Sequence, residues 1–302
     1  MLPRDLKKRL AKLNSATLTG SRAQPTASPS RSSSTVGHSL HVIRVPDLAE
    51  DIAQKSPLRI EDVAPGRLVE RADGTAYWLI ERRLSEIAAD HDRFIRRYAE
   101  LLMSEALILP EGTHRRLAEL AECDPRRVLY LDIETTGLSG CPLFLAGVME
   151  FEGDDFLVKQ YFARNYAEER HLLADLADYL PGFDLLVTFN GRSFDVPYVR
   201  DRATVNRVTV GWPPRHFDLL HESRRRWGRK LPDCRLSTLE QLICRRCRVD
   251  DISGDQIPAV YHAFVHTEDA SLMRHVIHHN ALDLLTMAEL ALFMLVGEKD
   301  WE

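Results

Sequence analysis

Val128-Leu129-Tyr130-Leu131-Asp132-Ile133-Glu134-Thr135-Thr136-Gly137 is the stretch that decides how this chain folds. Its run of large apolar and β-branched residues, closed by Thr-Thr-Gly, predicts a buried central strand that ends in a turn. Because side chains on a strand alternate between faces, Asp132 and Glu134 project from the same face. Two neighbouring buried carboxylates are costly unless a cation compensates them. The pair therefore indicates a metal site, and the alternative is a strand end at which both acids meet water.

The length and composition are those of a globular chain. A length of 302 residues allows one large domain, alone or with a smaller appendage, and 44% apolar with 28% charged residues is ordinary for such a protein. The formal charge of -5 gives no global attraction to nucleic acid. Any surface that binds this polyanion therefore has to be local.

The cysteines and the apolar pattern bear on the compartment. Five cysteines, an odd number scattered along the chain, argue against a disulfide framework and favour a reducing compartment. The basic segment at residues 4–9 is followed by no hydrophobic core, so it is not a secretory signal. No apolar run approaches the length needed to cross a bilayer. We therefore expect a cytoplasmic protein that does not contact a membrane.

The pattern before the deciding stretch predicts two regions. Residues 1–38 are rich in Ser, Thr and Pro and have little to bury, so they are predicted to be a disordered tail. Residues 39–125 are predicted to form a small accessory region. In it, Asp73-Gly74 between two apolar runs predicts a β-hairpin, and residues 87–105 and 113–123 have helical spacing.

Residues 126–302 are predicted to be the main domain. After the deciding strand, residues 143–151 and 156–162 are predicted to form two more strands, residues 167–180 a helix and residues 184–189 a buried strand. The order β-β-β-α-β, followed by a helix-rich second half, is typical of an α/β fold with a mixed sheet.

Asp195 follows the fourth of these strands. The Asn-Gly turn at Asn190 and the proline at Pro197 predict a turn and then a helix, with Asp195 at or near the N-terminus of that helix. An N-cap is one interpretation of this aspartate. The other is a ligand, because ligands in open α/β sheets collect beyond strand ends, where Asp132 and Glu134 also point.

The last predicted helix, residues 271–296, carries two adjacent histidines and an aspartate. Side chains four positions apart share a face of a helix, so His279 and Asp283 form the natural pair if the helix is continuous. His278 takes that place only if the helix begins late or bends. A structural histidine is the alternative interpretation.

Residues 211–250 hold the most basic segment and three cysteines. Arginines around Trp227 suit either a surface that grips phosphates and stacks a base or a solvated helix face. Cys244 and Cys247 have the spacing of zinc ligands, but residues 236–247 have a helical pattern and no second pair completes a tetrahedral set. We therefore do not expect a structural zinc site.

Four acids and a histidine thus occupy positions that can converge. This arrangement resembles the DEDD superfamily of 3′-5′ exonucleases on the RNase H-like fold. The first motif of that superfamily, Asp-x-Glu-Thr-Thr-Gly, matches residues 132–137, the second, Asn-x-x-x-Phe-Asp, matches residues 190–195, and the third matches residues 279–283. More narrowly, residues 236–240 and 254–261 resemble the YprB-like group of predicted ribonuclease H-like exonucleases. The resemblance covers residues 126–296.

The resemblance implies a fold, an activity and a cofactor. The fold is an α/β RNase H-like fold, in which helices flank a mixed central sheet, with the small N-terminal α+β accessory region beside it. The activity is hydrolysis of a terminal phosphodiester at the 3′ end of DNA or RNA with two Mg²⁺ or Mn²⁺ ions. The implied metal ligands are Asp132, Glu134, Asp195 and Asp283.

The resemblance also implies roles for other residues. Histidine-type members place their catalytic histidine five residues before the last aspartate, and tyrosine-type members place the tyrosine four before. Both positions are histidine here, so the spacing does not assign the subtype; the helix argument and the YprB-like pattern favour His279 as the general base. The implied contacts to the substrate come from Thr135, Thr136, Leu138 and Asn190.

Two other functions fit the same motifs. One is a nucleic-acid-binding scaffold that keeps the fold without turnover, and the other is an RNase H-like endonuclease. DNA and RNA, and single and double strands, remain open as substrates. A helicase or repair partner is conceivable, but no motif identifies one.

Overall fold

The computed structural model describes residues 41–44, 56–71, 74–88, 91–103, 114–249 and 251–296. The tail predicted for residues 1–38 lies outside these residues.

A mixed sheet of seven strands forms the centre of the fold. The strands are β1 His41–Arg44, β2 Arg67–Glu70, β3 Ala76–Arg83, β4 Val128–Thr135, β5 Leu143–Glu152, β6 Asp155–Phe162, β7 Leu185–Thr188, β8 Arg215–Asp218 and β9 Arg246–Val249. In the central sheet the strand order is β2-β3-β6-β5-β4-β7-β8, antiparallel from β2 to β4 and parallel from β4 to β8. The short strand β1 pairs in parallel with β9 outside this sheet. The predicted mixed sheet is confirmed.

Helices cover both faces of the central sheet. Short 3-10 turns at Pro125–Arg127, Tyr166–Glu168 and Leu180–Gly182 lead into or out of its elements. The helices are α1 Ile60–Val63, α2 Leu84–Ile87, α3 Asp92–Met103, α4 Arg115–Ala121, α5 Glu169–Tyr179, α6 Asp195–Val205, α7 Leu219–Trp227, α8 Leu236–Leu242, α9 Ile257–Thr267 and α10 Met273–Val296.

Strand β4 is buried on both faces, as its continuous apolar run predicts. Leu129 and Leu131 belong to one hydrophobic cluster, which also contains the apolar residues of α5 and α9. Val128 and Tyr130 belong to a second cluster, which contains most of the apolar residues of α10. Because side chains alternate along the strand, Asp132 and Glu134 share the face of Val128 and Tyr130. This is the face on which α10 packs.

The N-terminal hairpin extends the central sheet. Strand β3 pairs with β6 from Trp78, opposite Phe162, to Arg83, opposite Leu157, so residues 67–83 continue the sheet that the later strands form. The hydroxyls of Tyr98 on α3 and Tyr130 on β4 are 2.9 Å apart, which ties the region to the centre. The division into an accessory region of residues 39–125 and a main domain of residues 126–302 stays a prediction.

The helix predicted over residues 236–247 is wrong beyond Leu242. The backbone N–H of Cys244 bonds to the carbonyl of Leu239, and Arg245 then adopts a left-handed conformation with a φ of 54°. After this turn, Arg246 enters the core as the first residue of β9. Cys244 and Cys247 therefore do not share a helix face, and all five cysteines are free.

Helix α10 is the core helix of the molecule. Its 24 residues are long and apolar enough to cross a membrane by length and composition, so the prediction that no apolar run approaches that length is wrong. However, 83% of its most apolar window is buried inside the fold. Its apolar surface is therefore covered by the protein itself.

Candidate active site

Asp132 and Glu134 lie near the end of β4, where the pairing of this strand changes. Strand β7 pairs only with Val128, Leu129 and Tyr130, so the later part of β4 extends past its parallel neighbour. Asp195, the first residue of α6, fills this position and accepts a hydrogen bond from the backbone N–H of Ile133. The second motif is thereby joined to the first through the strand that carries the two acids.

The turn before Asp195 is built on Asp218. Asn190 adopts a left-handed conformation with a φ of 64°. The carboxylate of Asp218, at the end of β8, accepts hydrogen bonds from the backbone N–H of Asn190 at 2.9 Å and of Arg192 at 3.0 Å. It also caps α7 through the N–H of Leu220 at 3.0 Å. Asp218 therefore holds the second motif in place, although it was not a predicted site residue.

Asn280 on α10 orients Asp132. Its Nδ2 donates to Oδ2 of Asp132 at 2.8 Å, and its Oδ1 accepts from Nε2 of Gln160 at 2.8 Å. Gly147 lies opposite Asp132 in the β4–β5 register, and a Cβ there would stand 2.0 Å from Oδ1 of Asn280. Strand β5 therefore requires glycine at position 147, because the side-chain amide of Asn280 contacts the sheet there. Asn280 is fully buried, and the sequence did not indicate its contact with Asp132.

His279 and Asp283 share one face of α10, as the four-residue spacing predicts. Nε2 of His279 is 3.5 Å from Oδ2 of Asp283, and Nδ1 is 2.8 Å from Oδ2 of Asp251. Oδ1 of Asp283 accepts a hydrogen bond from Arg248 at 2.5 Å. Neither Asp251 nor Arg248 was a predicted site residue.

His278 lies in a different environment. Burial and the charge of Arg82 lower its pKa to about 4. Its Nε2 is buried and has no hydrogen-bond partner within the described part of the chain. His279, and not His278, therefore lies beside Asp283 in this fold.

The four acids form one electrostatic cluster. Burial, followed by the charges of Asp283, Glu134 and Asp195, raises the pKa of Asp132 well above its usual range. Burial raises the pKa of Glu134 to about 8 and that of Asp195 to about 7. Burial lowers the pKa of His279, but Asp283 and Asp251 outweigh it and raise that pKa to about 9. The cluster is therefore short of positive charge.

The chemistry of this cluster fits hard divalent cations, because carboxylate oxygens are the ligands that Mg²⁺ and Mn²⁺ prefer. Within the described ranges, no group of three or more His, Cys, Asp or Glu side chains is already arranged to hold a metal ion. Asp283 is instead turned toward the guanidinium of Arg248. The four carboxylates fit these ions chemically. Asp283 would have to release the guanidinium of Arg248 before it could bind a metal ion with the other three.

Of the residues predicted to contact substrate, Leu138 lines a cavity of about 310 Å³. Leu138 is 89% exposed, and Phe194 and Tyr198 line the same cavity. The Tyr198 hydroxyl is 2.9 Å from the carbonyl oxygens of both Gly137 and Cys141, so it holds the loop that carries Leu138.

The threonines of this loop are engaged inside the protein. Oγ1 of Thr135 donates to the carbonyl of Gly137, and both the N–H and Oγ1 of Thr136 bond to the carbonyl of Pro142. The Thr136 N–H is therefore already paired. Asn190 is exposed at the turn above Asp218.

The aromatic part of the basic segment does not face solvent. Trp227 is only 1% exposed, so it cannot stack a base. Arg225 pairs with Glu222, and Arg226 donates to the carbonyl of Met294 at 2.8 Å. The interpretation of this segment as a base-stacking surface is wrong, because the side chain of Trp227 is buried in the hydrophobic core.

This chain is similar to a curated protein and to solved structures of an exonuclease. The uncharacterized protein YprB of Bacillus subtilis (strain 168) is 34% identical over 174 residues, which are 55% of this chain and 41% of that protein. This chain therefore spans less than half the length of that relative. E. coli exonuclease I in complex with a dA16 oligonucleotide aligns at 14% identity and a TM-score of 0.32, and its zinc-bound single-stranded DNA complex at 13% and 0.31. Each alignment covers 51% of this chain and 42% of the exonuclease, and at these TM-scores it carries no conclusion.

The family match is the informative comparison. It confirms the expected RNase H-like fold, and the similarity to YprB agrees with the expected YprB-like group. The profile of the RNase H superfamily matches residues 129–294, more than half of the sequence, and this chain therefore belongs to the RNase H superfamily.

Proposed function

We propose that this chain is a metal-dependent 3′-5′ exonuclease that hydrolyses terminal phosphodiesters of DNA or RNA. The observation that carries the proposal is the convergence of carboxylates from three elements. Asp132 and Glu134 share the face of β4 on which α10 packs, and the backbone N–H of Ile133 between them bonds to Asp195 of α6. Asp283 of α10 lies beside His279 and raises the pKa of Asp132 and Glu134. Like charges this close together are costly without cations, and clusters of this kind concentrate at functional sites.

Asp132, Glu134, Asp195 and Asp283 would hold two Mg²⁺ or Mn²⁺ ions. When bound, the ions would polarise the scissile phosphate and make the attacking water more acidic. Nε2 of the neutral His279 ring then takes the proton from that water. Asp283 raises the pKa of His279 in the metal-free protein, and cations held by Asp283 would offset this charge and favour the neutral ring. The position of Nε2 on the side of Asp283 supports this role.

The cavity beside Leu138 supports cleavage from an end. It has a volume of about 310 Å³ and is lined by Leu138, Phe194 and Tyr198, whose apolar and aromatic surfaces suit a splayed terminal base. We propose that the 3′-terminal nucleotide occupies it, with Asn190 orienting the strand.

The test is a panel of end-labelled single- and double-stranded DNA and RNA, with added Mg²⁺ or Mn²⁺ and with EDTA as the control. The expected result is stepwise release of mononucleotides from the 3′ end that EDTA abolishes. A labelled circular substrate distinguishes an endonuclease, because only an endonuclease cuts it. Binding of oligonucleotides without turnover under any metal condition would instead identify a scaffold and would overturn the proposal.

A further inference from the structure

Asp251 makes a contact with His279 that none of the motifs accounts for. Its Oδ2 is 2.8 Å from Nδ1 of His279, and the two residues come from different elements, the segment after β9 and helix α10. The side chains are only 17% and 15% exposed, so water competes little for this hydrogen bond. The opposite ring nitrogen, Nε2, faces Asp283.

Arg248 fixes the position of Asp251. Its Nη1 donates to Oδ2 of Asp251 at 3.1 Å, and its Nη2 donates to Oδ1 of Asp283 at 2.5 Å. The guanidinium itself is anchored by Glu240 on α8, with Nε 3.0 Å from Oε1. The guanidinium of Arg248 therefore fixes the distance between Asp251, which contacts Nδ1 of His279, and Asp283, which lies near Nε2.

We propose that Asp251 is a positioning residue for His279: its carboxylate accepts a hydrogen bond from the Nδ1–H group, so that the Nε2 lone pair is directed at the reacting water. The inference rests on the proposed function for the role of the water, but not for the hydrogen bond. The neutral imidazole has one donor and one acceptor nitrogen, so an acceptor at Nδ1 determines which nitrogen is free. A cavity of about 520 Å³ opens beside His279, Asp251 and Asp283 and gives the ring access from solvent.

The test uses Asp251→Asn and Asp251→Ala, with Asp255→Asn as the matched control. Asp255 is an exposed aspartate four residues further along the chain, so its substitution makes the same chemical change without the contact. Asp251→Asn is close to isosteric, and a thermal melt of each variant establishes that it is folded.

The first readout is the tautomer of the His279 ring. Two-bond ¹H–¹⁵N spectra of the metal-free protein, recorded above the pKa of the ring and assigned with His279→Ala, report which nitrogen carries the proton. The expected result is a proton on Nδ1 in the wild type and in Asp255→Asn, and a shift toward Nε2 in Asp251→Ala. An unchanged tautomer in a folded Asp251→Ala protein overturns the inference.

The second readout is steady-state hydrolysis of the best substrate. Substitutions behind a catalytic group commonly cost about 10–100-fold. We expect kcat to fall by that factor in Asp251→Ala and by less in Asp251→Asn, which keeps an acceptor oxygen, with KM nearly constant in both. Wild-type kcat in both variants overturns the inference and leaves the exonuclease proposal intact. If Asp251→Ala shifts the tautomer but the wild-type protein hydrolyses no substrate, the positioning role of Asp251 is supported and the proposed exonuclease function is overturned.

Discussion

Gly147→Ala tests the contact between the central sheet and α10 more sharply than any other single substitution. The new Cβ would stand 2.0 Å from Oδ1, 2.8 Å from Cγ and 2.9 Å from Nδ2 of Asn280. None of these atoms can remain there, because real Cβ contacts do not come this close. Asn280 must therefore leave its hydrogen bonds to Asp132 and Gln160, both of which are part of the buried site.

The cost of this displacement can be assembled from its two parts. Overpacking of a filled core costs about 1–3 kcal/mol. A buried donor or acceptor left without its partner costs about 1–3 kcal/mol, although Gln160 keeps a second hydrogen bond to the carbonyl of Ile277. We expect a loss of about 3 kcal/mol in the free energy of unfolding, or roughly 5 °C in Tm. Because Asp132 loses its orienting amide, turnover should also fall roughly tenfold or more.

The assay is urea denaturation with a parallel thermal melt of the metal-free protein. Gly182→Ala is the matched control, since nothing lies within 4 Å of its Cβ and the residue is exposed, and its stability should stay within about 0.5 kcal/mol of the wild type. Asn280→Ala removes the clashing side chain, so Gly147→Ala should cost little more in that background. Wild-type stability in Gly147→Ala, or the full loss again in the Asn280→Ala background, would refute the reasoning.

Three further predictions concern the acids and the histidines. Asp132→Ala and Asp283→Ala should abolish metal-dependent hydrolysis while the far-UV circular dichroism stays native, and wild-type turnover in either would reject the metal-site proposal. His279→Ala should lower kcat by roughly 10²–10⁴-fold, whereas His278→Ala should retain most of it; the reverse pattern in single-turnover assays would identify His278 as the base. Burial raises the pKa of Glu134 from 4.5 to about 8, so the folded metal-free protein keeps a proton that the unfolded chain releases, and its free energy of unfolding should fall as the pH rises through this window. Glu134→Gln should flatten that fall in urea titrations with EDTA, and an unchanged slope would contradict the assigned cause.

The predictions that depended on local periodicity agree with the fold. Strand β4 and the two strands that follow it have the predicted limits within a few residues, and His279 and Asp283 share a helix face. These features follow from spacing along a few neighbouring residues, because a strand repeats every two residues and a helix every 3.6. The likeness to RNase H-like proteins used the same local motifs.

The errors arose where distant partners compete for a residue. The helical pattern of residues 236–247 was interrupted because Glu240 and Glu289 hold Arg246 in the core. Trp227 looked like a surface aromatic among arginines, yet its ring is buried. A run of charged residues in a sequence does not show which of its side chains face solvent, because tertiary packing determines that.

The sequence by itself determined that two carboxylates share one face of a central strand and that a histidine and an aspartate share one face of a long helix. The side chains that orient these groups became visible only in the folded structure. Asn280 reaches Asp132 because Gly147 has no side chain, and Asp218 bonds to the turn at Asn190. Asp251 bonds to His279. The difference lies in the sequence separation over which each kind of interaction acts. A periodic pattern is set by neighbours within one or two turns, whereas a buried hydrogen bond joins residues whose separation in sequence carries no signal of their distance in space.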